Sequence, residues 1–283
     1  IADWGEQTMN NLAEEFTQIP TIDLWYKNTA PSVAADQEES WHKNHIRLLD
    51  QSTDVAMRNG FNDGAFWVQN PSASLPAWLA YDLNPTASNA LDLCAAPGGK
   101  TLQLCAFNLD VSSVDISARR LHKLEQNLSR CKLRARTIRS DAAKFASDER
   151  YDIIIVDAPC SATGTIRRHP DLLLQKDGTE IPSLITLQRT MLQNALKLLN
   201  TDGILAFATC SLLKEEGEHQ ISWLLEQNKT VELVKPELPH WARDYAIFDP
   251  YGGVRVMPTD QDGQSSGLDG FYMAFMKVSD QTI

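Results

Sequence analysis

From Ala90 onward two rhythms alternate along the chain. Short apolar runs are separated by longer stretches with apolar residues at three- and four-residue steps, the pattern of strands joined by crossover helices. Strands are expected at Ala90–Ala95, Ser113–Ile116, Arg136–Arg139, Asp152–Asp157, Gly203–Thr209, Val231–Val234 and Phe271–Val278. Helices are expected at Thr101–Phe107, Ala118–Cys131, Ile185–Leu199 and Glu216–Gln227. In the third helix Leu184, Leu187, Met191, Ala195 and Leu198 mark one face for packing on a sheet. Asp152–Asp157 is almost continuously apolar, as a central strand covered on both faces must be. Phe271–Val278 follows a Gly-rich loop and suits an antiparallel edge. The expected architecture is α/β: seven strands, mostly parallel, the last antiparallel. Residues 1–85 are weakly patterned, rich in Trp, Asn and Pro, with short helical and strand-like pieces.

Composition narrows the class. At 283 residues, 43% hydrophobic and 22% charged, the chain can form one large domain with a smaller partner. No run of 18 apolar residues and no basic, apolar leader occurs, so a cytosolic protein without a membrane partner is expected. The first residue is Ile1 rather than Met, which leads us to expect a piece of a longer protein. The five cysteines, Cys94, Cys105, Cys131, Cys160 and Cys210, form no Cys-x-x-Cys pair. Neither a disulfide framework nor a metal site is expected. A net charge of −11 argues by itself against nucleic acid. Its distribution argues otherwise: Arg119, Arg120, Lys123, Arg130, Lys132, Arg134, Arg136 and Arg139 face a single acid, Glu125, over that stretch, and Arg167-Arg168-His169 forms a second basic point.

The segment Leu91-Asp92-Leu93-Cys94-Ala95-Ala96-Pro97-Gly98-Gly99-Lys100-Thr101 reads as a strand, a small-residue turn and a helix start. Ligands of open α/β sheets sit beyond the carboxyl ends of the strands, where glycine lets the backbone approach. The turn is neither Gly-x-Gly-x-x-Gly nor a Walker loop, so it fits an amino-acid moiety better than a phosphate. Asp115 ends the second strand, placed to accept from ribose hydroxyls, and Asp141 follows the third, placed to accept from an adenine amino group. Together they imply a nucleoside-containing cofactor.

The fourth strand ends Asp157-Ala158-Pro159-Cys160-Ser161 and the fifth Ala208-Thr209-Cys210-Ser211. Neighbouring strand ends share one pocket, so two thiols and a carboxylate should face the cofactor. A thiol suits methylation of cytosine at carbon 5, a poor nucleophile until a thiolate adds at carbon 6 and makes the ring enamine-like. A carboxyl at Asp157 would bind or protonate N3, and Lys100 would supply positive charge nearby. Cys160 is well placed to assist the later release.

These residues also carry a resemblance. The chain resembles the Sun-type RNA cytosine-5 methyltransferases over roughly Gly60 to the C-terminus. The matching motifs are Asp92–Thr101, Val114-Asp115-Ile116, Asp157–Asp171 (DAPCSATGTIRRHPD), Ala208–Ser211 with Glu215–Glu218, and Asp269-Gly270-Phe271-Tyr272. Gly164–Asp171 is characteristic of the bacterial ribosomal branch. The resemblance implies a Rossmann-like class I S-adenosylmethionine-dependent methyltransferase domain over 71–283, with an RNA-binding-like α/β region over 1–70. It implies that Cys210 is the nucleophile and Cys160 aids product release. It implies S-adenosylmethionine held by Cys94, Ala95, Ala96, Pro97, Gly98, Gly99, Lys100, Asp115, Asp141 and Asp157, with Arg120 a further candidate. The implied substrate is a cytosine of small-subunit (16S) ribosomal RNA, with tRNA as an alternative. Its base must leave the stack, so a loop or single strand is expected. Arg167, Arg168 and His169 are candidate RNA contacts.

Full-length members carry an upstream helical domain resembling an antitermination factor, and this chain is expected to lack it. Two departures stand out: Asn70 replaces a usual Asp in Val68-Gln69-Asn70, and Ile22–Lys27 lacks an Arg-x-Asn signature. DNA cytosine-5 methyltransferases use the cysteine of Pro-Cys and lack a Thr-Cys partner, so Cys210 argues against them. A non-catalytic RNA-binding assembly factor is the remaining alternative, and the intact cysteines argue against it.

Overall fold

The computed structural model describes residues 3–33, 38–50, 52, 54–260 and 262–279. Helix α1 (Glu6–Glu15) leads into a four-stranded antiparallel sheet of β1 (Ile22–Tyr26), β2 (Glu38–Glu39), β3 (His45–Leu48) and β4 (Phe66–Val68), in the order β2-β3-β1-β4. Alternation gives the sheet two buried faces of different kinds. Leu24, Tyr26, Ile46, Leu48 and Phe66 form an apolar core on one side. On the other, Asp23 accepts hydrogen bonds from His45 Nε2 at 2.9 Å and Arg47 Nε at 2.8 Å. Burial pushes the Asp23 carboxyl up, but His45 and Arg47 outweigh it and hold the group below its ordinary value. Arg47 also donates to Ser266 O at 2.7 Å and Gly267 O at 3.1 Å, which ties the small sheet to the loop ahead of the last strand.

The larger unit starts at α2 (Pro71–Leu83), whose first turn is capped by the Asn70 side chain accepting from Ser72 N at 3.0 Å. The same oxygen accepts from Asp269 N at 3.2 Å, so Asn70 keeps an acceptor role that Asp would also serve. There follow β5 (Asn89–Leu93), α3 (Gly99–Ala106), β6 (Asp110–Asp115), α4 (Ala118–Cys131), β7 (Arg136–Arg139), β8 (Tyr151–Asp157), α5 (Leu172–Gln175), α6 (Ile181–Leu196), β9 (Leu199–Thr209), α7 (Glu218–Gln227), β10 (Val231–Leu233), β11 (Ala246–Phe248), β12 (Val254–Val256) and β13 (Phe271–Val278). The strand order is β11-β12-β13-β9-β8-β5-β6-β7, with β10 also on β13. Strands β5 to β9 are mutually parallel and β13 runs antiparallel to β9. Ile153 and Ile155 of β8 enter the core on one face, and Ile154 and Val156 that on the other. Both faces are covered, hence the unbroken apolar run.

All seven expected strands are present. Two more, β11 and β12, make nine; this hairpin lies beside the start of β13, while β10 lies beside its end. Each is only three residues long, below the length at which alternation is readable. Its turn is closed by Asp249 Oδ1, which accepts from the amides of Tyr251, Gly252 and Gly253 at 2.8, 2.8 and 3.0 Å. Helix α6 starts four residues earlier than expected, with Pro182 in its first turn, and β9 starts at Leu199 rather than Gly203. The last expected helix opens instead with a 3₁₀ turn, Lys214–Glu216, before α7. Glu216 thereby points inward.

Beneath the first crossover, Asp92 of β5 is fully buried. Its Oδ2 accepts from Thr101 Oγ1 at 2.6 Å, Thr101 touches Ser113 Oγ at 3.0 Å, and Asp92 Oδ1 has no partner among the described residues. Burial raises its pKa from an ordinary 3.8 to about 7. The folded state therefore holds this proton more tightly than the unfolded chain. Its stabilising contribution is complete below 3.8 and is lost as pH rises through about 7. Asp92→Asn should therefore gain stability relative to the parent protein between about pH 4 and 7, read from denaturant midpoints at several pH values. A difference that stays constant across that range contradicts the assignment.

Candidate active site

The turn after β5 is shaped by two left-handed residues, Cys94 (φ 63°) and Gly98 (φ 114°), the second capping α3. A Cβ on Gly98 would lie 2.6 Å from Leu124 Cδ1 of α4, so only glycine fits. Ala96 N donates to Asp115 Oδ2 at 3.3 Å, binding the turn to the end of β6. Asp115 Oδ1 accepts from Ser117 N at 2.8 Å and from Arg120 at 2.9 Å. Each carboxylate oxygen can accept more than one bond, so Asp115 keeps capacity for a ligand hydroxyl. Asp141 accepts from Ala143 N at 3.0 Å, and its side chain is 36% exposed. Cys94 stays a neutral thiol: burial first, then the charges of Asp157 and Asp115, push it up to about 12. The structure thus gathers Cys94–Lys100, Asp115, Arg120 and Asp157 around one turn.

Lys100, in the first turn of α3, is buried and donates from Nζ to Asp157 Oδ2 at 2.8 Å. Its ammonium lies 5.1 Å from the centre of the Phe271 ring. Asp157 closes β8 with a 35% exposed side chain, so the pair reaches the surface at the strand end.

Because Asp157 pairs with Ala208 across parallel β8 and β9, the loops that follow emerge side by side. They bring Cys160 Sγ and Cys210 Sγ to 3.5 Å, both half-buried. The Cys210 contact, then burial, then the charge of Glu216 push the Cys160 thiol well above its ordinary value. Cys160 is therefore a protonated thiol at neutral pH. The loops are pinned from behind. Gly164 N donates to Cys210 O at 2.9 Å and Gly270 N to Gly164 O at 2.8 Å. A Cβ on Gly164 would meet Gly270 O at 2.0 Å, so this crossing admits no side chain. Below the sulfurs, Ser161 Oγ and Ser211 Oγ lie 3.1 Å apart, Thr163 Oγ1 is 3.3 Å from Ser211, and Glu216 Oε2 accepts from Ser161 Oγ at 2.5 Å. Sequence reasoning missed this buried layer. Its signal was present: a serine follows each cysteine, and Glu216 falls seven residues after Thr209.

Residues 80–277 match the family described as 16S rRNA methyltransferase RsmB/F. The chain belongs to that family. It is 42% identical over 233 residues to ribosomal RNA small subunit methyltransferase B of Shewanella oneidensis, covering 80% of this chain and 51% of that one. To the protein of the same name from Pasteurella multocida it is 35% identical over 263 residues, covering 89% and 55%. The chain thus spans about half the length of the curated relatives it matches. Two solved structures share its fold. A methyltransferase homolog from Pyrococcus horikoshii superposes with TM-score 0.77 at 24% identity, covering 97% of this chain and 92% of that one. NSun6 from the same organism, solved with SFG, gives TM-score 0.80 at 16% identity, covering 98% and 96%. The observed sheet is that of a Rossmann-like class I methyltransferase, as expected.

Within this RsmB/F chain, the expected RNA contacts Arg167 and Arg168 are engaged in ion pairs inside the protein. Arg167 is buried, pairs with Glu15, and lies 3.6 Å from Asp269. Arg168 donates from Nε to both Asp269 oxygens at 2.9 Å and from Nη1 to Thr21 O at 3.1 Å. Both guanidinium groups bind the segment after Cys160 to α1 and to the loop before β13. Burial raises Asp269, and the two arginines oppose it. Only His169 of that trio is exposed. Among the described residues, no group of three or more His, Cys, Asp or Glu side chains is arranged to hold a metal ion, and no helix is long and apolar enough to cross a membrane. Arg167→Ala strands Glu15 as a buried charge, while Asp269 keeps Arg168, and should lower stability by about 3–5 kcal/mol in denaturant unfolding. Weaker RNA binding with unchanged stability would instead return Arg167 to the RNA interface.

Proposed function

We propose that this protein transfers a methyl group from S-adenosylmethionine to carbon 5 of a cytosine in 16S ribosomal RNA, in the cytoplasm, with Cys210 as the nucleophile. The single observation that carries the reading is the 3.5 Å approach of two thiols at adjacent strand ends, one of them held protonated. Support comes from the family match over residues 80–277 and from the names of the ribosomal relatives. The donor set fits the cofactor: the Gly98 turn leaves main-chain groups open to an amino-acid moiety, and Asp115 and Asp141 offer acceptors to ribose and adenine. When bound, S-adenosylmethionine supplies the methyl group as an electrophilic sulfonium.

The residues act in sequence. The Cys210 thiolate, stabilised by the Cys160 S–H, bonds to carbon 6 as the C5=C6 electron pair shifts into the ring. Lys100 meets the resulting negative charge on the pyrimidine edge, and Asp157 holds its ammonium in place. Carbon 5, made nucleophilic in this way, would take the methyl group from a cofactor held by the Gly98 turn, Asp115 and Asp141. The carbon 5 proton passes to water, the C5=C6 bond reforms and the C6–S bond breaks. The departing sulfur again receives the Cys160 hydrogen bond. An unpaired target base avoids much of the few kcal/mol needed to unstack it.

Cys210→Ala should reduce methyl transfer to 16S ribosomal RNA by on the order of 10³-fold or more while leaving S-adenosylmethionine binding intact. Cys160→Ala should accumulate a protein–RNA adduct, seen as a slow band under denaturing conditions and absent from the double variant. An adduct that forms only when Cys210 is replaced reverses the two roles.

A further inference from the structure

We propose that Glu216 is a positioning residue of this reaction: it holds the Cys160 loop against the Cys210 loop and, as an enclosed acid with no cation beside it, favours the S–H form of Cys160. This rests on the reaction proposed above. Glu216 has no exposed surface. Its Oε1 accepts from Ser161 N at 3.0 Å and Gln188 Nε2 at 3.1 Å. Its Oε2 accepts from Ser161 N at 3.1 Å and Ser161 Oγ at 2.5 Å. Gln188 also donates to Pro159 O at 2.8 Å, so the carboxylate grips Cys160 through the residues on both sides of it. The Ser161 hydroxyl continues to Ser211 beside Cys210. Gln188 is oriented in turn by Gln220, which donates to its Oε1 at 2.8 Å and accepts from Arg189 Nε at 3.1 Å.

The donors are all neutral. Among the described residues, no Lys, Arg or His comes within 4.0 Å of the Glu216 carboxylate. Neutral donors stabilise a carboxylate without cancelling its charge, and a buried charge acts over several ångströms. Other charged or titratable groups face Cys160. Cys210 is in contact, and Asp157 with its Lys100 partner precedes it by three residues. Lys176 Nζ lies 3.5 Å from Cys160 O and 3.1 Å from Ser161 O, but it is partly exposed and paired with Glu180 at 3.5 Å. Glu216 is the enclosed one.

The test is the pH dependence of Cys160 alkylation by iodoacetamide, followed by peptide mass, in the whole chain carrying Cys210→Ser. Adding Glu216→Gln should move the Cys160 midpoint down by about one pH unit. An unchanged or raised midpoint overturns the proposal. In the protein with both cysteines, Glu216→Gln should also accumulate the RNA adduct. Glu216→Asp keeps the charge and withdraws it from Ser161, so turnover should fall roughly 10-fold with the midpoint held. If Glu216→Gln does not fold, unchanged turnover in Glu216→Asp overturns the proposal by itself. The alkylation readout needs neither RNA nor cofactor. A shifted midpoint in a protein that methylates no cytosine therefore sinks the reaction and leaves the charge effect standing, whereas normal methylation with an unmoved midpoint does the reverse.

Discussion

Parallel pairing of β8 with β9 is the constraint on which the site depends. Its register sets Asp157 against Ala208, so two chain segments fifty residues apart leave the sheet as neighbours. A one-residue slip would turn every side chain of β9 to the opposite face and carry Cys210 away from Cys160. The register is held by apolar burial on both faces and, beyond the sheet, by the Gly164–Gly270 crossing and the Glu216 carboxylate. The proposed chemistry asks for two sulfurs at one point, and the paired strand ends bring them to 3.5 Å.

The basic residues show how poorly charge counts report on surfaces. In the run from Arg119 to Arg139, Arg120 turns to Asp115, Arg130 to the carbonyls of Phe61 and Phe66, and Arg136 to Glu149 and Ser112. All of the run except the half-buried Arg130 is nevertheless exposed, Arg120 and Arg136 included. Arg167 is buried and Arg168 half-buried, and they join α1, the segment after Cys160 and the loop before β13. Opposed charges read as a surface in sequence become internal fasteners once distant segments meet.

The strands and crossover helices were legible because their periodicity is local. So were the Gly98 turn, the strand-end acids and both cysteines, since chemistry at strand ends is written in adjacent residues. The β11–β12 hairpin was not, being too short to alternate. The N-terminal sheet was only hinted at: its polar face, built on Asp23, His45 and Arg47, breaks the usual alternation of apolar inside and polar outside. Glu216 was hidden for a related reason. An acid among Glu215, Glu216 and Glu218 looks like the first turn of a solvated helix, and only the 3₁₀ turn ahead of α7 sends one of them inward.

The most direct measurement of the proposed nucleophile uses RNA in which the target cytosine is 5-fluorocytosine. Methyl transfer can occur on such a ring, but fluorine cannot leave carbon 5 as a proton does, so the bond to sulfur persists. Digestion and mass mapping should recover a methylated fluorocytosine attached to the peptide carrying Cys210. Attachment to Cys160, or methylation of unmodified RNA with no trapped adduct, would contradict attack by the sulfur at the exit of β9.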